Sequence, residues 1–320
     1  MELLIKNIRE YSRENIKMER VLITGGTGLI GRALSKKLLA KGYAVSVLSR
    51  NRKASDSIQF YCWDIENQTI DKEFILDVDY IIHLAGAGVA DKRWTNKRKK
   101  EIIDSRVNST KLLLKSIDPK NTKIKAFISA SGVNCYGTIT SEKIFTENDS
   151  FAHDFLGRVC ELWEGAANEF KNFGIRVVKL RTGVVLSKNG GVLEKLVKPI
   201  RLGFGSAIGS GKQYMPWIHI DDLCEMYIHS IENTKISNIY NAVAPEHLNN
   251  QSFTQKIATS LNKSIWLPKV PGVILKLILG DMSKIITEGS RVSSEKISQT
   301  GFKFKYPTLD LSLTDLVSKD

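Results

Sequence analysis

The sequence predicts an α/β protein with a doubly wound parallel sheet of the Rossmann type, followed by a small, mostly helical C-terminal domain. Two observations carry this prediction. Short apolar segments alternate with amphipathic helical segments over the first 190 residues, and a glycine-rich turn lies between the first predicted strand and the first predicted helix. A repeated order of strand, crossover helix and strand requires neighbouring strands to run parallel.

The predicted elements follow one another regularly. A strand at 21–24 leads through glycines into a helix that carries leucines on one face and ends at Gly42. Further strands are predicted at 44–50, 58–63, 78–86, 125–131 and 175–183, and helices at about 93–116 and 155–170. The 78–86 segment is almost entirely apolar, as expected for a strand covered on both faces. The helical tail is expected to pack beside the carboxyl ends of the strands, where open α/β sheets bind ligands.

Composition excludes several classes of protein. A chain of 320 residues with 42% apolar and 25% charged residues is typical of a globular protein, and no apolar run is long enough to cross a bilayer. The four cysteines are far apart and form no Cys-x-x-Cys pair, so we expect neither a disulfide framework nor a metal site, and a cytoplasmic location fits best.

The net charge of +13 raises the question of a polyanionic partner. The basic residues are spread along the chain, and the one dense basic run, at 91–101, is interpreted as the solvated opening of a helix. We therefore expect a small-molecule substrate and no nucleic-acid or membrane partner, while the oligomeric state stays open.

The glycine-rich turn predicts a dinucleotide site. Residues 24–31 read TGGTGLIG and satisfy both the G-x-G-x-x-G and the G-x-x-G-x-x-G spacing. The turn joins a predicted strand to a predicted helix, which is the context in which glycines let the backbone approach a pyrophosphate and the helix N-terminus supplies amide donors.

The end of the second strand indicates which dinucleotide is bound. A carboxylate there would accept a hydrogen bond from a ribose 2′-hydroxyl and would repel a 2′-phosphate. The chain instead has Ser49, Arg50 and Arg52, with no acidic residue, so NADP(H) is favoured over NAD(H) and Arg50 is the candidate phosphate ligand.

These patterns divide the chain into four predicted parts. Residues 1–17 are interpreted as an N-terminal extension, with Met18 as a candidate natural start. Residues 18–190 form the predicted NADP-binding Rossmann domain, 191–244 a mixed segment with site-covering loops and the last sheet strand, and 245–320 the small C-terminal domain.

Several motifs together resemble one known family. They are TGGTGLIG with a strand ending in SR, HLAG, RWT-x5-EII-x-SR-x-x-ST, GSGKQYMPWIHIDDL and GFKFKYPTL. From about Met18 to the end, the chain resembles the atypical, epimerase-like branch of the extended short-chain dehydrogenase/reductases, which carries a small C-terminal domain of unknown function. The resemblance implies cofactor contacts from the end of the second strand, from the HLAG segment, from the long helix at 93–116 and from the segment after the sixth strand. With the glycine turn, the predicted cofactor-binding residues are Gly25, Thr27, Gly28, Leu29, Ile30, Gly31, Ser49, Arg50, Leu84, Ala85, Gly86, Glu101, Arg106, Ser129 and Val185.

The usual catalytic pair of the wider superfamily is missing. In a Tyr-x-x-x-Lys pair the lysine lowers the pKa of the phenol, which then exchanges a proton with the substrate. None of the nine tyrosines has a lysine four residues later, and Leu156 and Cys160 stand where the pair belongs. The remaining candidates are Ser131, at a strand end like the superfamily serine, and Tyr136, the nearest phenol.

Other reactive side chains receive structural interpretations. Cys135 and Cys160 are expected to be buried apolar thiols rather than nucleophiles. His219 is expected to belong to the scaffold, with Asp221 or Asp222 as the N-cap of the next helix, and Asp154 is expected to cap the helix at 155–170.

Two functions remain open at the level of sequence. The first is an NADP(H)-dependent oxidoreductase or epimerase acting on a small polar carbonyl or sugar-like substrate, and the second is an NADP(H)-binding sensor or scaffold without catalysis. Convergence of Ser131, Gln213 and Tyr214 in a polar pocket beside the nicotinamide would favour the enzyme, whereas an apolar plug there would favour the sensor.

Overall fold

The computed structural model describes residues 18–317. The predicted extension at 1–17 lies outside the described residues, as do the last three positions. The strands are β1 (Arg20–Thr24), β2 (Ala44–Ser49), β3 (Ile58–Asp64), β4 (Thr69–Ile70), β5 (Tyr80–His83), β6 (Ala126–Gly132), β7 (Ile144–Phe145), β8 (Arg176–Thr182), β9 (Val184–Leu186), β10 (Trp217–His219), β11 (Asn238–Ala242) and β12 (Arg291–Val292). The α-helices are α1 (Leu29–Ala40), α2 (Asn96–Lys115), α3 (Phe155–Asn168), α4 (Val192–Arg201), α5 (Ile220–Glu232), α6 (Asn250–Ser260), α7 (Gly272–Leu279), α8 (Lys284–Thr287), α9 (Glu295–Ser298) and α10 (Leu309–Val317).

An eight-stranded sheet organises the molecule. Its strand order is β11-β8-β6-β5-β1-β2-β3-β4, and every neighbouring pair is parallel except the short antiparallel pair of β3 and β4. The predicted doubly wound parallel sheet is therefore confirmed. The chain winds outward from β1 in one direction through β2 and β3, and in the other through β5, β6, β8 and β11. The switch point, where such sheets bind ligands, lies between the carboxyl ends of β1 and β5.

Both faces of the sheet are covered. Alternate residues of a strand point to opposite faces, so β1 contributes to two separate apolar clusters. The cluster against α1 and α5 includes Val21, Ile23, Leu34, Leu38 and Met226. The cluster against α2 and the end of α3 includes Leu22, Ile81, Leu112, Leu113 and Phe170.

Two predicted boundaries were wrong for local reasons. The strand predicted at 78–86 ends at His83, because the backbone amides of Leu84 and Ala85 turn and donate to the Thr24 hydroxyl at 3.2 Å each. The helix predicted from 93 begins at Asn96, because the Thr95 side chain caps it by accepting from the Arg98 amide.

Of the two predicted helix N-caps, one is found in the structure and one is not. Asp154 caps α3 by accepting from the Gly157 amide, as predicted. The prediction for α5 was wrong, because β10 continues directly into the helix and His219 is its N-cap, with Nδ1 accepting from the Asp221 amide at 3.0 Å. Asp222 instead accepts from the backbone amides of Lys305 and Tyr306, which fixes the C-terminal segment to α5. His219 also stacks on Tyr306 at 3.7 Å, so its contacts are those of a scaffold residue.

The region after β11 is mostly helical and packs on the loops at the carboxyl ends of the strands. Its β12 pairs with β7, which belongs to the loop after β6. A third apolar cluster, including Phe253, Ile257, Leu309 and Leu313, joins α6 to α10. Over residues 18–317, the helices are too short or too polar to span a membrane.

Candidate functional site

The glycine turn after β1 is packed too tightly for side chains. Gly25 has φ +69°, a region that favours glycine. A Cβ on Gly26 would lie 2.5 Å from Val47 Cγ2, and one on Gly31 would lie 2.5 Å from the carbonyl oxygen of Gly25. Gly28 is the N-cap residue of α1 and supplies no side-chain cap. The first amides of α1 are therefore presented by bare backbone, a geometry that favours an anion.

A buried histidine ties this turn to the neighbouring strand and helix. His83 accepts from the Thr24 hydroxyl through Nδ1 at 2.8 Å, and its Nε2 lies 3.2 Å from Ser109 Oγ and 3.1 Å from Thr110 Oγ1. Both of those hydroxyls donate to helix carbonyls of α2. The proton of the imidazole is therefore assigned to Nε2. Burial lowers the pKa of His83 to about 3, so the ring is neutral at ordinary pH.

A second polar group at the crevice is the buried guanidinium of Arg106. It donates from Nη1 to the carbonyls of Ala87 and Ile102 at 2.9 Å each and lies 4.8 Å from the Trp163 ring centre. Its Nε is buried and has no hydrogen-bond partner among residues 18–317. Burial lowers the pKa of Arg106 to about 10. A Cβ on Gly86 would lie 2.9 Å from Arg106 Cζ, so a glycine leaves the space that the guanidinium fills.

The basic run at 91–101 is not simply a solvated face. Arg98 is buried, pairs with Glu101 at 2.8 Å and donates to the Gly88 carbonyl at 2.5 Å. The sequence-based interpretation was wrong at this position because the run faces the loop after β5. Glu101 itself is exposed, and the Arg98 hydrogen bond lowers the pKa of its carboxyl.

The predicted specificity residues lie at the end of β2. Ser49 is partly buried and donates to the Asn51 carbonyl, while Arg50 is exposed. A cavity of about 370 Å³ lies between α1 and strands β2 and β3. Its lining includes Thr27 together with three basic side chains, Arg32, Lys36 and Lys53. The sequence motifs give no signal for Lys36 and Lys53, because neither belongs to the glycine turn or to a strand end.

The remaining predicted cofactor residues lie in α1, β6, β9 and the loop after β5. Leu29 and Ile30 open α1 and pack against the sheet, and Val185 lies in β9 against the same apolar cluster. Leu84 also packs there, whereas Ala85 packs on the opposite cluster. Ser129 is buried in β6, beside His83 in the register of the sheet.

The predicted catalytic serine belongs to a buried polar network. Ser131, in β6, donates to Glu164 Oε1 at 2.8 Å. Glu164 comes from α3, one turn beyond Cys160, and forms a two-pronged ion pair with Arg181 of β8 at 2.8 and 3.1 Å. Glu164 and Arg181 are 3% and 2% exposed, so the pair is shielded from water. Hydrogen bonding to Glu164 raises the pKa of Arg181 in spite of the lowering effect of burial.

Tyr136 joins the same network through its hydroxyl. It donates to Asn241 Oδ1 at 2.7 Å and accepts from Arg181 Nη1 at 3.1 Å. Burial raises the pKa of the phenol above its ordinary value, and Arg181 only partly offsets this effect. The network thus fixes both predicted catalytic hydroxyls in hydrogen bonds within the protein.

Sequence reasoning missed Glu164, Arg181 and Asn241. The sequence does contain a signal for Glu164 and Arg181, namely a charged residue within a segment predicted to be buried. Glu164 lies four residues after Cys160 on an otherwise apolar helix face, and Arg181 is, with Lys179, one of two basic residues inside the strand RVVKLRT. Charged residues at buried positions are retained where they are paired.

The positions that usually carry the Tyr and Lys pair are both buried. Leu156 is 2% exposed and Cys160 is 5% exposed. The Cys160 thiol lies 3.5 Å from the Gly132 carbonyl, and burial raises its pKa to about 11. Burial also raises the pKa of the Cys135 thiol. Neither thiol has the lowered pKa of an activated nucleophile.

Gln213 and Tyr214 make contacts of their own. The Gln213 amide donates to the carbonyls of Ile208 and Ile286, and the Tyr214 hydroxyl donates to Glu142. Ser131 bonds to Glu164, so the three side chains that would mark a polar pocket hold different partners.

Comparison with known proteins places this geometry in a family. The model of the NAD dependent epimerase/dehydratase family matches residues 21–242, and that of a domain of unknown function (DUF1731) matches residues 270–316. The chain is 35% identical over 301 residues to the epimerase family protein YfhF of Bacillus subtilis, covering 93% of this chain and 98% of that protein.

Solved structures give the same result. The human epimerase family protein SDR39U1 with NADPH superimposes with a TM-score of 0.82 at 31% identity, covering 93% of this chain and 98% of that one. A nucleoside-diphosphate sugar epimerase from Corynebacterium glutamicum gives 0.76 at 29% identity, covering 97% of this chain and 61% of that one. The chain belongs to the NAD dependent epimerase/dehydratase family, in the atypical branch of extended short-chain dehydrogenase/reductases that carries the DUF1731 domain.

Proposed function

We propose that this chain is an NADP(H)-dependent epimerase-like enzyme or oxidoreductase that acts on a small polar carbonyl or sugar-like substrate. The observation that carries the proposal is the crevice between β1 and β5, where β1 leads into bare helix amides and the loop after β5 packs on the buried Arg106 guanidinium. Both groups attract anions, and a dinucleotide brings a pyrophosphate. The NADPH-bound human relative supports the same choice of cofactor.

The residues present fit such a cofactor. Side chains on Gly26 or Gly31 would fill the space in which the turn and helix meet, and the Arg106 Nε is free to donate. The glycine turn and Arg106 would hold the phosphates. Leu84, Ala85 and Val185 would line the remaining length of the cofactor, which supplies the hydride.

NADP(H) rather than NAD(H) is favoured by charge. No acidic residue occurs between 44 and 55, and Arg32, Lys36 and Lys53 line the cavity beside the end of β2. Ser49 and Arg50 would then bind the 2′-phosphate, which a carboxylate at this place would repel.

The protein's own chemistry would run through Ser131 and Glu164. A substrate hydroxyl would give its proton to Ser131 Oγ while Ser131 gives its proton to Glu164 Oε1, 2.8 Å away. The reverse transfer would protonate a substrate oxygen after hydride addition. Tyr136 would help to position the substrate oxygen, with Arg181 and Asn241 as positioning residues. A carboxylate relay of this kind would replace the missing Tyr and Lys pair.

A second candidate function is a cofactor-binding sensor. It is favoured by the same network, in which the Ser131 and Tyr136 hydroxyls already donate to partners inside the protein. Leu156 and Cys160 add only buried apolar surface where a proton donor is expected.

Two stopped-flow assays separate these functions: oxidation of bound NADPH by aldehydes, ketones and keto sugars, and reduction of bound NADP+ by nucleotide sugars. We expect turnover by the unaltered protein and a loss of about 100-fold or more in kcat for Ser131→Ala and Glu164→Gln, with NADPH binding retained. Glu161→Gln, on the exposed side of the same helix, is the control and should react normally. Tight NADPH binding without turnover of any substrate would favour the sensor, and normal turnover by Glu164→Gln would eliminate the relay.

A further inference from the structure

The C-terminal region carries an uncovered apolar helix. None of the eight residues of α7 is buried. Val273, Ile274, Leu277 and Ile278 are 72%, 48%, 73% and 64% exposed. Their spacing places them along one side of the helix, because residues three and four apart share a face.

A second exposed apolar group adjoins this helix. Leu202, Phe204 and Trp266 are 65%, 65% and 71% exposed. The segments that carry them are held together, because the Val270 amide donates to the Ala207 carbonyl at 2.9 Å and a Cβ on Gly205 would lie 2.7 Å from Ile265 Cδ1. We call the seven side chains the apolar patch: Leu202, Phe204, Trp266, Val273, Ile274, Leu277 and Ile278.

Such a patch is unusual on a water-facing surface. Seven large apolar side chains, each about half exposed or more, present on the order of several hundred Å² of apolar area, the size at which exposed patches mark interaction sites. Isolated apolar residues on a surface need no explanation, whereas seven of them on neighbouring segments do.

The charges around the patch indicate what covers it. The segment 263–288 carries Lys263, Lys269, Lys276 and Lys284 against two acids, Asp281 and Glu288. Asp281 lies 3.7 Å from Lys99, and Glu288 accepts a hydrogen bond from the Thr140 hydroxyl, so both acids already have partners. A cavity of about 520 Å³ is lined by Val273 and by Lys276, Lys284, Asp281 and Glu288. The rim of the apolar patch therefore carries twice as many basic as acidic side chains, and its acids are already engaged, which makes it complementary to an anionic surface.

A second copy of this chain fits these charges poorly. A two-fold contact through α7 would bring Lys276 near its own symmetry mate, and each chain carries a net charge of +13. An anionic bilayer matches both properties, because its acyl region accepts the apolar face and its headgroups accept the lysines.

We propose that the apolar patch docks on a bilayer containing anionic phospholipid, with α7 lying in the plane of the interface. Trp266 would lie at the level of the headgroups, where tryptophan is enriched, and Phe204 would enter the acyl boundary with the apolar face of α7. This proposal reverses the sequence-based expectation that the protein has no membrane partner, and it requires no spanning helix.

Co-sedimentation of the full chain with vesicles tests the proposal. The vesicles are phosphatidylcholine alone or phosphatidylcholine with 30% phosphatidylglycerol, at 0.1 M and 0.5 M salt. We expect at least tenfold tighter binding to the anionic vesicles at low salt, and weakening at high salt. Leu277→Ser with Ile278→Ser should lower that binding tenfold or more, and Lys276→Glu should lower it severalfold.

The matched control is Leu76→Ser, because Leu76 is 72% exposed but lies far along the chain from the patch. It should bind vesicles like the unaltered protein, and circular dichroism melting should show that every variant is folded. Absence of binding to anionic vesicles, or equal binding by the Leu277 and Ile278 double variant, overturns the proposal. The proposal is also overturned if the unaltered protein binds no vesicles and is a dimer in light scattering, while the double variant is a monomer. That result assigns the patch to self-association.

Discussion

Two regions at the carboxyl ends of the strands are built in different ways. The crevice between β1 and β5 is shaped by backbone: glycines, the first amides of α1 and a neutral histidine that connects β1, β5 and α2. The region between β6, α3 and β8 is shaped by charged side chains that bond to each other away from water.

The difference explains why one region follows the superfamily pattern and the other departs from it. A backbone cradle for a cofactor depends on a few small residues at fixed spacing. A side-chain network can be rebuilt by changing several residues together, as Leu156, Cys160 and Glu164 suggest on one helix face. The same fold can thus keep a cofactor while altering the chemistry beside it.

The largest effect should come from breaking the side-chain network. Glu164→Ala leaves the Arg181 guanidinium buried without its carboxylate, and we expect a loss of about 3–5 kcal/mol in the free energy of unfolding. Glu161→Ala, which removes an exposed pair with Arg158 on the same helix, should cost about 1 kcal/mol or less. Urea unfolding of both variants measures the contrast, and equal losses would contradict the assigned importance of the buried pair.

A smaller effect should come from filling the backbone cradle. Gly31→Ala places a Cβ 2.5 Å from the Gly25 carbonyl oxygen, which should destabilise the protein by about 1–3 kcal/mol and weaken NADPH binding. Gly165→Ala is the control, because a Cβ there would have no neighbour within 4 Å. It should stabilise α3 by about 0.5–1 kcal/mol and leave binding unchanged. Undiminished NADPH affinity in Gly31→Ala, measured by calorimetry, would count against the cradle.

The third effect concerns pH and the histidine that joins the crevice. The folded-state pKa of His83 is lowered to about 3, so only the unfolded chain takes up this proton as the pH falls below about 6.5. The stability contributed by neutral His83 is present above pH 6.5 and is lost between about 6.5 and 3. From pH 7 to 5 the loss should be about 2 kcal/mol. Urea unfolding of His83→Asn, which cannot titrate, should show a pH dependence weaker by that amount; identical pH dependences would refute the assignment.

Sequence alone predicted the parts that depend on local pattern. The sheet and the glycine turn follow from alternating apolar segments and glycine spacing. The ends of helices and strands depend on contacts between residues distant in sequence, such as the Thr24 hydroxyl, which accepts from the amides after β5. The network could not be predicted as a network, because Ser131, Glu164 and Asn241 meet only in the fold. Likewise, the apolar character of 272–279 is visible in the sequence, but its exposure depends on what packs against it.

The most direct test of the account is calorimetry of NADPH and NADH binding to the unaltered protein, Arg50→Ala and Arg52→Ala. Arg52 is the control, because its guanidinium already pairs with Asp71 at 3.1 Å. We predict that NADPH binds at least about tenfold more tightly than NADH, that Arg50→Ala removes most of this preference, and that Arg52→Ala keeps it. Tighter binding of NADH by the unaltered protein would contradict the central claim that this crevice is built for NADP(H).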